Sequence, residues 1–165
     1  MKAQVWSIDF VVSVIVFFIA VSLTVFAWDY SISQNQAQAS FSNAESITLS
    51  VTDALIRTKG IPEDWDDSNV RSVGLASAEN IVDQEKVEEF LDLDYNTSKE
   101  RLGISRYEYH FELRYANNSV IQLPGGDNIT KGIQPFNASL VIPAERYVLY
   151  NTKISRLQFI LWQGR

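Results

Sequence analysis

The stretch Phe10–Ala27, FVVSVIVFFIAVSLTVFA, runs 18 residues without a charge. No other feature constrains the chain so tightly. Eighteen helical residues rise about 27 Å at 1.5 Å each, close to the roughly 30 Å hydrocarbon core of a bilayer. Val5 to Ile8 before it and Trp28 behind it close the gap, which sets the span at about 5–28. Trp6 and Trp28 bracket the run where interfacial aromatics sit, and Tyr30 joins the second belt. Ser13, Ser22 and Thr24 can return their hydroxyls to the helix's own carbonyls, so they do not oppose insertion. Lys2 lies before the span and Asp29 after it, which places the N-terminus in the cytoplasm and the remainder outside.

Two other readings fit the run less well. A secretory signal peptide has an apolar core of 7–15 residues and a small-residue cleavage site after it. This run is longer, and Ala27-Trp28-Asp29 is a poor match to such a site. A buried core helix that is apolar all round is rare in a domain this small. Asp9 is the anomaly, a carboxylate at the start of an apolar helix. Such an acid either lies at headgroup level and hydrates, or pairs with a positive group such as the amino terminus of a neighbouring chain.

From Ser31 to Lys59 there is neither Pro nor Gly. Apolar residues recur at Phe41, Ala44, Ile47, Val51, Ala54 and Leu55, a helical spacing. Arg57 and Lys59 suit a helix C-terminus, Gly60 a cap and Pro62 a stop. The pattern predicts one helix from Val5 to about Lys59, apolar all round in its first half and striped in its second.

Beyond it, residues 61–165 suffice for a small α+β domain. Trp65 is a candidate packing anchor in a loop, and Val70–Leu75 reads as a short strand. Asp83 can cap a helix over Gln84–Leu91, with Val87, Phe90 and Leu91 inward. A shorter helix starts at Thr97 or Ser98 and ends at Gly103. Tyr107, Tyr109, Phe111, Leu113 and Tyr115 alternate with Glu108, His110, Glu112 and Arg114, a strand with one polar face. Asn117-Asn118 turns it, and Val120–Leu123 returns. Phe136–Ile142, Tyr147–Tyr150 and Lys153–Trp162 give further strands. The expected sheet is antiparallel, with four or five strands and one face on the helix.

Charge and composition then exclude several functions. The 20 Asp+Glu outnumber the 14 Lys+Arg, for a net charge of -6, and a phosphate backbone demands the opposite balance, so nucleic acid is not an expected partner. The absence of Cys removes thiolate metal sites, Cys nucleophiles and iron–sulfur clusters. The single His, His110, falls on the polar face of a strand and reads as a surface residue. Asp92-x-Asp94-x-Asn96 resembles the start of a calcium loop, but Thr97 stands where Gly belongs and Gly103 where Glu belongs. Glu63-Asp64-Trp65-Asp66-Asp67 reads as a solvated loop, and Gly125-Gly126 lacks the spacing and Lys of a phosphate loop. No catalytic residue, metal site or cofactor is expected. Four Asn-x-Ser/Thr sequons begin at Asn96, Asn117, Asn128 and Asn137, all beyond the span, and mark candidate glycosylation sites.

Lys2-Ala3-Gln4-Val5-Trp6-Ser7-Ile8-Asp9-Phe10, followed at once by the apolar run, resembles the class III signal of archaeal type IV pilin-like proteins. Thr58–Trp65, Asn69-Val70 leading to Gly74-Leu75-Ala76, Leu102-Gly103-Ile104 before a Tyr-rich strand, and Tyr150-Asn151 before Ile154–Leu157 are similar to stretches of that group. The resemblance implies a leader of residues 1–3, cut between Ala3 and Gln4 by a prepilin-type signal peptidase. It implies a long N-terminal helix, 4–60, on a small antiparallel domain, 61–165. The mature helix would leave membrane lipid and pack against other copies or related pilin subunits. Asp9 would face a neighbour's new amino terminus, and Phe10, Phe17 and Phe18 would lie among sister helices. Attraction between such charges at 4 Å is roughly 4 kcal/mol at an effective dielectric near 20. The implied function is a non-enzymatic subunit of a cell-surface filament. The alternatives are a permanently anchored extracellular binding or sensing module and a membrane-tethered hydrolase.

Overall fold

A computed structural model describes residues 8–165, with the side chains of all but 33–37. The chain divides into two compact units, Met1–Ser42 and Asn43–Arg165. Helix α1 covers Ile8–Arg57, with Asp9 in its first turn and Arg57 in its last, both signs favourable to the helix dipole. Its end falls two residues before Lys59, which instead reaches Glu63 at 2.9 Å. Gly60 then takes φ +88°, and a Cβ there would stand 2.3 Å from Trp65 Nε1, so only Gly lets the chain turn beneath that ring. Trp65 is buried, and its indole N–H donates to the carbonyls of Lys59 and Gly74.

The second unit is α+β. Strands β1 (Ala76–Ala78), β2 (Ile81–Val82), β3 (Glu108–Tyr115), β4 (Thr130–Gly132), β5 (Ala138–Tyr150) and β6 (Lys153–Gly164) form one sheet in the order β1-β2-β5-β6-β3-β4. Every neighbouring pair is antiparallel except β2 with β5, so the sheet is mixed and six-stranded rather than antiparallel with four or five. The expected strands Phe136–Ile142 and Tyr147–Tyr150 are one strand. Pro143 lies inside it, opposite Ile160, on a stretch where β2 does not reach, since β2 pairs only with Leu149 and Tyr150. A proline is tolerated at such an edge because no ladder partner needs its missing N–H. Asn151 and Thr152, both with positive φ, form the two-residue turn into β6. Val70–Leu75 is not a strand; Ser72 makes a single bridge to Ile61. Val120–Leu123 likewise returns only through isolated bridges, Arg114 to Val120 and Gln122 to Asn128.

Helix α2 covers Gln84–Asp92, and Asp83 caps it by accepting from the Glu85 N–H. Helix α3 covers Tyr95–Arg101 and starts earlier than Thr97 because Asp94 is its cap, accepting from the Thr97 N–H. Gly103, at φ +73°, closes α3 with its N–H on the Glu100 carbonyl.

The inner face of the sheet carries Tyr109, Phe111, Leu113, Leu157, Phe159, Leu161, Ile142 and Val148, all buried. Val87 and Phe90 of α2 and Ala44, Val51, Leu55 and Ile56 of α1 belong to the same core. Thr48 and Thr52 join the α1 stripe although polar, because each hydroxyl donates to the carbonyl four residues back. Phe41, the first residue of the predicted stripe, is exposed. The Tyr109 ring stacks on Phe159 at 5.4 Å and on Tyr95 at 5.1 Å, while Phe90 meets Phe111 edge-on at 5.2 Å.

The outer face corrects the reading of His110. That side chain is 6% exposed and Glu112 is 5% exposed, so the alternate positions of β3 are buried too. In the strand order, the connection from β4 to β5 must cross β3 and β6. Trp162, on the outer face of β6, holds that connection by donating its indole N–H to the Ile133 carbonyl. Glu112 receives both Nε and Nη2 of Arg114, at 2.7 and 3.0 Å. His110 Nε2 lies 3.8 Å from Glu112, and neither ring nitrogen has a hydrogen-bond partner among the described residues.

Candidate functional site

The feature of the molecule that most demands a partner is the first half of α1. Ile8–Ile32 is 25 residues of helix; its most apolar 18-residue window has a mean hydropathy of 2.8, and none of that window is buried by the chain itself. Length and composition therefore fit a single membrane crossing. Phe17 and Phe18 are each 63% exposed, with their rings edge-to-face at 5.9 Å, and Phe10 is also exposed. Fully burying one such side chain is worth about 1.5–3 kcal/mol. Water is thus a poor environment for this surface, and lipid or other apolar side chains are a good one.

Three hydroxyls within the apolar run are provided for. Ser13 donates to the Asp9 carbonyl at 2.7 Å, Ser22 to Phe18 at 2.8 Å and Thr24 to Ala20 at 2.9 Å. Such bonds allow a hydroxyl to sit in an apolar environment without an unpaired donor. Asp9 is exposed in the first turn of α1, one residue from the first described position. The helix thus brings Asp9, Phe10, Phe17 and Phe18 onto one continuous element. Ala3 and Gln4, the predicted processing site, lie outside the described residues, as does Trp6.

In the second unit the chemically suggestive groups are committed to the fold. Asp94, the middle acid of the calcium-loop look-alike, is the α3 cap, and its bonds to Thr97 hold its carboxyl below the ordinary range. Among the described residues no group of three or more His, Asp or Glu is placed to hold a metal ion. Asp66 accepts from the N–H groups of Ser68 and Asn69 and from the Ser68 hydroxyl, which orders the acidic loop locally. Lys86 lies over the Trp65 ring at 5.2 Å and donates to the Glu63 carbonyl; burial lowers its pKa, and Asp83 and Asp64 oppose that shift.

One cluster was not predicted from sequence. Tyr95 donates to Glu108 at 2.6 Å, Lys99 reaches the same carboxylate at 2.8 Å, and the Ser98 and Tyr109 hydroxyls are 2.6 Å apart. A serine near a lysine and a carboxylate has the composition of a hydrolytic site. Here Ser98 is 0% exposed and its hydroxyl also bonds the Tyr95 carbonyl. The cluster therefore fastens α3 to β3. Its signal in the sequence was the pairing of polar groups across a helix and a strand, which no local pattern reveals.

The four sequons fall in different settings. Asn96 lies in α3, Asn117 in the turn after β3, Asn128 just before β4 and Asn137 just before β5. The Asn of all four is exposed. No family model, no curated protein and no solved structure matches the chain.

Proposed function

We propose that the chain is a non-enzymatic, pilin-like structural subunit of a cell-surface filament, made as a single-pass membrane precursor and assembled through its apolar N-terminal helix. The observation that carries the reading is the uncovered apolar surface of Ile8–Ile32. Lipid satisfies that surface in the precursor, and helices of other copies satisfy it in the filament. The α+β unit with its own core is then the part displayed outside the cell. The leader-like residues Met1–Ala3, with Gln4 following, give the precursor a processing site ahead of the helix. Asp9 offsets the amine that cleavage creates on a neighbouring copy.

The experiment is the N-terminal mass of the mature protein together with an Asp9→Ala variant. Processing and assembly predict a chain that starts at Gln4, and an Asp9→Ala protein that inserts in membrane but fails to enter filaments. A mature chain that still starts at Met1 supports a permanently anchored module instead. Normal filament entry by Asp9→Ala removes the pairing role of Asp9.

A further inference from the structure

The fold engages the four sequons to different extents. A transferase that reads Asn-x-Ser/Thr must reach the Asn amide and the hydroxyl two residues on. At Asn96 that hydroxyl is Ser98, fully buried and bonded to Tyr95 and Tyr109. At Asn128 the middle residue, Ile129, is fully buried and its N–H and carbonyl pair with Ile121 and Leu113. At Asn137 the Ser139 hydroxyl is tied to the Gln163 and Gly164 carbonyls at the start of β5.

Asn117, Asn118 and Ser119 are all exposed. Asn96, Asn128 and Asn137 are exposed as well, but each has a buried or half-buried residue within its sequon. The Ser119 hydroxyl bonds only within the sequon, donating to Asn117 Oδ1 at 2.7 Å, and the Ser119 N–H donates to the same oxygen at 3.1 Å. That oxygen is occupied, while the amide nitrogen Nδ2 donates no hydrogen bond among the described residues. The turn is held from beneath: Arg114 donates to the Asn118 carbonyl at 2.8 Å, and Arg156 donates to the Asn118 side chain.

We infer that Asn117 is an N-glycosylation site modified on the folded domain, and that Asn96 is closed to the same enzyme. The donor is a glycan joined through its anomeric carbon to a lipid phosphate. The carbon–oxygen bond to phosphate breaks and a bond from that carbon to Nδ2 forms. The lipid phosphate departs with the electron pair and takes up the proton that the amide loses. This inference rests on the reading that residues 61–165 lie outside the cell.

The test is glycopeptide mass mapping of the full chain isolated from its own cells, with proteolysis of intact cells in parallel. Cleavage before Asp127 puts Asn117 and Asn128 on separate peptides. A sugar mass on Asn117, a bare Asn96 and loss of that mass in Asn117→Gln are expected. A glycan on Asn96, or occupancy at Asn128 or Asn137 equal to that at Asn117, overturns the inference. If the domain is digested on intact cells and Asn117 is bare, only this inference fails. If the domain is protected and Asn117 is bare, the exterior reading fails with it.

Discussion

Tyr109 shows how one side chain can fix several features of this fold. Its ring stacks between Tyr95 and Phe159, and its hydroxyl meets Ser98. Burial raises its pKa, with the Ser98 bond partly opposing the shift. Burial also raises Tyr95, reinforced by the bond it donates to Glu108, and raises Tyr150, reinforced by the charge of Glu88. All three fold as neutral phenols with values above the ordinary 10.0. Their contribution to stability is complete below pH 10 and is lost as pH rises through the folded-state values. Urea midpoints measured from about pH 9 to about pH 12 should therefore fall above about pH 10, and the fall should be shallower in Tyr109→Phe. A midpoint that stays level across that range contradicts the burial argument.

At the scale of elements, local signals located the helices well. Asp83 before a Gln-Glu-x-Val run is a cap signature, and the structure places Asp83 on the Glu85 N–H at 2.9 Å. Asp83→Ala should lower stability by about 1 kcal/mol, read as a shift in the urea midpoint with an unchanged slope. No shift would mean that α2 is held by Val87 and Phe90 alone. The strand β3 was also legible, because alternation is local. The short strands β1, β2 and β4 were not, since two or three residues carry no period. The buried state of His110 was illegible for a related reason. Alternation gave its face correctly, but whether that face is covered depends on segments distant in sequence. In the candidate site, the run Phe10–Ala27 and its satisfied hydroxyls were readable from composition alone. The Ser98–Tyr109 contact was not, because it joins two elements whose packing no single segment encodes.

For the whole molecule, the two units pose opposite physical problems. Asn43–Arg165 buries its own apolar residues in a core with aromatic stacking and capped helices. The helix of the first unit carries an apolar surface that its own chain does not cover. The hydrophobic effect requires that surface to find cover, and single Phe side chains on it are each worth about 1.5–3 kcal/mol. The most direct measurement is the distribution of the full-length protein between membrane, high-mass assembly and free solution after cells are broken without detergent. The account predicts that the protein sediments with membranes or assemblies, and that detergent is needed to release single chains. Recovery as a soluble monomer in plain buffer, with Phe17 and Phe18 protected from solvent, would contradict it.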